Sequence, residues 1–150
     1  MASVNGGDMK ALKLFLFSLA LIGGAALASG GTSVWGDEAR EVYDTLIAAG
    51  ATRTDIPEGP TVIIDEVRCE GQNTEGVLVS ASCRLSGDPK LNLLNGPMGL
   101  RLMKALMAMG VRQRMSESSV VTISVSGLDC GVLHNLVEDG QPSCFFVDNN

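Results

Sequence analysis

Four cysteines in two pairs of equal spacing constrain this chain more than any other feature. Thirteen residues separate Cys69 from Cys83, thirteen separate Cys130 from Cys144, and the two pairs are offset by 61 positions. The segments Leu46-Ile47-Ala48-Ala49-Gly50 and Leu106-Met107-Ala108-Met109-Gly110 stand at nearly the same offset, 60. A shared offset for a glycine-ended apolar segment and a cysteine pair marks an internal repeat, here over about 36–88 and about 96–150. Four cysteines permit three pairings. Equal spacing within each repeat favours Cys69–Cys83 and Cys130–Cys144, each closing a short loop and adding about 3 kcal/mol on the loop-entropy account.

Disulfides persist in oxidising compartments, and the N-terminal sequence offers a route to one. Lys10 and Lys13 precede an apolar stretch at 14–22, followed by Gly23, Gly24 and a small-residue series at 25–29. A positive start, a short apolar centre and Ala26-Leu27-Ala28 predict a secretory signal peptide over 1–28, cleaved after Ala28. Met9 begins a more typical signal than Met1 does. The apolar run is too short to cross about 30 Å of hydrocarbon, so no transmembrane anchor is expected and the predicted location is periplasmic or secreted. Residues 29–150 then form a single exported domain of 122 residues with 9 basic and 16 acidic side chains, net −7. That balance argues against nucleic acid as a partner, because phosphate binding rests on cations.

Each repeat reads as α-β-β. In the first, Asp37 is a candidate N-cap, and Ala39, Val42, Tyr43, Leu46 and Ile47 recur at helical spacing before Gly50. Residues 61–69 read as a strand, 70–76 as a polar hairpin loop, and Val77, Val79, Ala81, Cys83 and Leu85 as one face of a second strand. In the second repeat, Asn95-Gly96-Pro97 opens a helix that runs to Gly110. Val121, Ile123 and Val125 alternate with hydroxyl residues, and a loop at 131–143 leads to a last strand at 144–147. The expected fold is therefore α+β: two tandem α-β-β units sharing one four-stranded antiparallel sheet, with both helices on one face. In outline such units resemble β-lactamase-inhibitor-type modules, which are also built from repeated, disulfide-bearing helix-and-sheet units. No motif is shared; what the resemblance implies is a docking role.

Catalytic chemistry has few candidates. The chain has one histidine, His134, in the second hairpin loop near Asp129, Glu138 and Asp139. A serine relay needs a histidine that a carboxylate orients, but no Gly-x-Ser-x-Gly elbow occurs, and the repeat-one counterpart of His134 is Asn73. A weak hydrolase using His134 is the enzymatic alternative; the expectation is no enzyme and no cofactor. Asp65 and Glu66 are adjacent on a strand and are expected on opposite faces.

Methionine and charge point instead to binding. Met98, Met103, Met107, Met109 and Met115 cluster in repeat two, and a flexible thioether face suits varied partners; thioethers also suit Cu(I), a second alternative. Over 89–116 there are five basic residues, Lys90, Arg101, Lys104, Arg112 and Arg114, and no acidic one. The function expected is a small, disulfide-stapled binding module that recognises another envelope or extracellular protein. Its contact residues are Arg101, Lys104, Met107, Arg112, Arg114 and His134. A homodimer or structural subunit of an envelope complex is the remaining alternative.

Overall fold

The structure, a computed structural model, describes residues 30–57, 59–132 and 141–150. The signal peptide expected at 1–28, with His134 and Glu138, lies outside the described residues.

The chain is mostly β. Ten elements follow in order: β1 (Thr32–Trp35), α1 (Asp37–Ala48), β2 (Thr54–Ile56), β3 (Gly59–Thr74), β4 (Val77–Ser86), β5 (Leu93–Leu94), α2 (Gly96–Ala108), β6 (Arg114–Met115), β7 (Val120–Val132) and β8 (Pro142–Asp148). The strands form one antiparallel sheet in the order β1-β8-β7-β3-β4-β5, with β2 added to β3 and β6 to β7. This corrects the expected four-stranded sheet of α-β-β units, and with it the outline on which the inhibitor-type resemblance rested. Four of the strands, β1, β2, β5 and β6, have two to four residues each. Segments that short carry no readable period-2 pattern.

The long strands also depart from the sequence reading. β3 continues through the polar stretch expected as a loop, leaving only Glu75 and Gly76 to turn, both at positive φ (53° and 81°). Gly71 permits this continuation. A Cβ there would stand 2.5 Å from Leu78 Cδ1 and 2.9 Å from Met103 Sδ, so only glycine lets β3 run beneath that packing. In β4 a bulge in the β3 pairing slips the alternation. Leu78 is buried and Val77 and Val79 are exposed, the reverse of the expected faces, while Ala81, Cys83 and Leu85 keep theirs. In β3 the pleat also slips at Asp65 and Glu66, which are both exposed rather than on opposite faces.

Read as arms, β1-α1-β2-β3-β4 and β5-α2-β6-β7-β8 have one element order. The helices bury Ala39, Val42, Tyr43, Thr45 and Leu46 in α1, and Gly99, Leu102, Met103, Ala105 and Leu106 in α2. The second set is the first shifted by 60. Both helices end in the same way: Gly50 and Gly110 take φ near 100°, and the N–H groups of Ala51 and Val111 return to the carbonyls of Leu46 and Leu106. Gly36, rather than Asp37, occupies the N-cap of α1.

The two disulfides join directly opposed residues. Cys69–Cys83 links β3 to β4 and Cys130–Cys144 links β7 to β8, with Cα–Cα distances of 4.0 and 4.1 Å. Each is covered by the helix of the other arm. Cys83 Sγ lies 3.6 Å from the Gly99 carbonyl oxygen of α2, and Cys144 Sγ lies 3.6 Å from the Ala39 carbonyl oxygen of α1. The edge strands cross over likewise, β1 pairing with β8 and β5 with β4. The helices meet at Glu41 and Arg101, whose side chains hydrogen-bond at 2.5 Å and stand at equivalent positions of the two arms. One continuous core, including both disulfides, fills the space between the helices and one side of the sheet.

Candidate functional site

The other side of the sheet has no covering element among the described residues. Its composition follows from β-sheet geometry: paired residues share a face, and the face alternates along each strand. Beyond the slip at Asp65, the residues that β3 turns away from the core are Glu66, Arg68, Glu70 and Gln72. Arg68 faces Arg84 on β4 and Ser124 on β7, and Arg84 in turn faces Leu93 on β5. Glu70 faces Thr122, which faces Arg114 on β6. Like charges opposed across two strands are unfavourable, yet Arg68 and Arg84 stand so. Among the described residues the ion pairs are Arg53–Asp55, Arg101–Glu41 and Arg112–Asp148; none involves Arg68, Arg84 or Arg114. Two open hollows meet at Arg68. One is bounded by Glu70, Arg114, Thr122 and Ser124, the other by Glu66, Arg84 and Ser86.

On the other side of the slip the same face is apolar and aromatic. Phe145 on β8 faces Ser33 on β1 and Asp129 on β7, and Asp129 faces Ile63 on β3. Trp35 is the diagonal neighbour of Phe145 across β1 and β8, within reach of a large ring. Trp35 and Phe145 are each 42% exposed and Ile63 is 50% exposed. Asp129 is anchored, its carboxylate accepting a 2.6 Å hydrogen bond from the buried Thr61 hydroxyl. Nine large hydrophobic side chains are exposed among the described residues. The pairing register puts six of them, Trp35, Ile56, Ile63, Val77, Leu93 and Phe145, on this side of the sheet.

The residues singled out from the sequence do not share one surface. Arg101 and Lys104 lie on the exposed side of α2, and Arg101 is engaged by Glu41. That hydrogen bond is the main cause holding the Glu41 carboxyl below its ordinary value. Arg112 follows the helix and bonds Asp148 at 3.4 Å. Arg114 projects from the opposite, open side of the sheet. Met103 and Met109 are buried, Met98 and Met107 pack against the core, and Met115 alone of that cluster is exposed. Among the described residues no three His, Cys, Asp or Glu side chains converge as a metal ion would require, and no helix is long and apolar enough to cross a membrane.

Sequence reasoning passed over Arg68, Trp35, Ile63 and Phe145. The signal for Arg68 was the run Glu66, Arg68, Glu70 at period 2. Trp35 and Phe145 lie on short strands without a pattern of their own.

Compared with protein-family models, curated proteins and solved structures, the chain matches none.

Proposed function

We propose that this chain is an exported, disulfide-stapled docking module without catalytic chemistry, recognising a protein surface through the uncovered face of its sheet. The observation that carries the reading is the shared orientation of exposed apolar groups. Single exposed hydrophobics are ordinary, whereas several on one uncovered face mark an interaction surface. The polar half of that face, with Arg68, Arg84 and Arg114, supplies orientation and specificity, as charged groups do at interfaces. Trp, Phe and Arg are also the side chains enriched at interface centres. Export follows from the signal-like N-terminus and agrees with the two disulfides. The contact set moves accordingly from α2 to the sheet, with Arg114 common to both.

The test is site-specific photo-cross-linking in the source cells, using the full chain with the reactive residue at position 63 on the open face or at position 47 on α1. Adducts from position 63 and none from 47 are expected. Adducts from 47 with none from 63 would place the docking surface on the helices and overturn the reading.

A further inference from the structure

We infer that the open face takes a basic side chain of its protein partner, whose cation seats against Asp129 beside Phe145 and Trp35; this rests on the docking role proposed above. The pairing register lays two rows of residues across this end of the sheet. One reads Trp35, Ser143, Gly131, Thr61 and the next reads Ser33, Phe145, Asp129, Ile63. The two middle positions of the first row carry a hydroxymethyl group and no side chain at all. A notch therefore lies over Ser143 and Gly131, with Trp35 at one end and with Phe145 and Asp129 along one side. Strands stand about 4.8 Å apart, and successive residues on one face of a strand about 7 Å apart. Side chains that lean over the notch from Trp35, Phe145 and Asp129 thus reach a common group placed in it.

The carboxylate is fixed and only half used. Asp129 Oδ1 accepts the Thr61 hydroxyl at 2.6 Å, while Oδ2 has no hydrogen-bond or ion-pair partner among the described residues. Gly131 protects that arrangement, because a Cβ there would stand 3.2 Å from the Thr61 Cβ and crowd it. No base shares this end of the face. Residues 32–35, 59–65, 128–132 and 142–148 contain no Lys, Arg or His, and Arg53, beside β2, is paired with Asp55. Arg68 lies five residues along β3 from Ile63, about 16 Å away. A held carboxylate without a cation, flanked by exposed rings and Ile63, is complementary to an ammonium or guanidinium group on an aliphatic stem. The cation pairs with Oδ2 and lies over a ring face, and the stem covers Phe145 and Ile63 as such stems cover apolar surface. An acidic or wholly apolar partner surface would instead leave Asp129 desolvated and unpaired, which is costly.

The experiment is titration of the disulfide-bonded protein with a tetralysine peptide, read by the fluorescence of Trp35, the chain's single tryptophan. The same peptide acetylated on every Nζ keeps the stems and removes the charge. Asp129→Asn keeps an oxygen for the Thr61 hydroxyl and removes the charge, and Phe145→Ala removes the neighbouring ring. Glu117→Gln, between β6 and β7, makes the same change of net charge elsewhere. Tetralysine is expected to give a saturable change and the acetylated peptide none. The midpoint is expected to rise about tenfold in Asp129→Asn and in Phe145→Ala, and by less than about twofold in Glu117→Gln, with circular dichroism unchanged in all three. No saturable change with tetralysine, an equal response to the acetylated peptide, or an Asp129→Asn midpoint that moves no more than that of Glu117→Gln overturns the inference. If the titration fails in one of these ways while position 63 still cross-links to another protein, the basic side chain is excluded and the docking face stands. Absence of adducts from position 63 overturns the docking role and this inference with it.

Discussion

Asp88 and Asp148 each hold a chain segment in place with a single carboxylate. The Asp88 carboxylate accepts from the Thr52 and Lys90 backbone N–H groups, both at 2.7 Å, and from the Thr52 hydroxyl at 3.2 Å. Sixty positions on, Asp148 accepts from the Arg112 and Asn150 N–H groups at 2.9 and 3.0 Å. Partial burial raises both carboxyls, but these donors outweigh it together, and both end below the ordinary aspartate value. A carboxyl depressed on folding adds stability above its unfolded value, near 3.9. That contribution is lost as pH falls through the lower folded value. Asp88→Asn and Asp148→Asn, which each turn an amide N–H toward a donor, are expected to cost about 1–3 kcal/mol at neutral pH. The penalty is expected to shrink below pH 4, as thermal melts across pH would show. Neither carboxylate was legible beforehand, because the sequence separation between Thr52 and Asp88 hides a contact that only the completed arm creates.

At the scale of elements, α2 lies tightly over β4 and β5. Gly99 sits where a Cβ would stand 2.6 Å from the carbonyl oxygens of Ala81 and Leu94. Gly→Ala inside a helix normally adds about 1 kcal/mol. Here two backbone oxygens must move, at about 1–3 kcal/mol, so Gly99→Ala is expected to lower the thermal midpoint rather than raise it. The helices, the long strands and both disulfides were legible because each rests on local signals: helical spacing ended by glycine, alternating apolar residues, and equal cysteine spacing. The short strands were not, since β1, β2, β5 and β6 exist by pairing with neighbours already in place. The bulge in β4 likewise depends on its partner, which is why Val77 and Leu78 exchanged their expected faces.

For the whole molecule, the exchange between arms is what positions the open face. Each helix covers the other arm's disulfide, and each edge strand closes the other arm's hairpin, so both helices are drawn to one side of the sheet. The opposite side is left with Arg68 and Arg84 at one end and Trp35, Phe145 and Ile63 at the other. The Met and Arg content of repeat two directs a reading of the sequence to α2 and its flanks rather than to the sheet. The open sheet face was not legible, because the core absorbs Met103 and Met109 while the polar alternation of β3 gives no hint of which neighbours it faces. Trp35 is the single tryptophan of the chain, and it stands on that face. Acrylamide quenching of its fluorescence therefore reads directly whether that face is open in the folded protein. Substantial quenching of the folded, disulfide-bonded protein is the expected result, since Trp35 is 42% exposed. Weak quenching in the folded protein, rising only on unfolding, would place Trp35 against a covering element and contradict an open face.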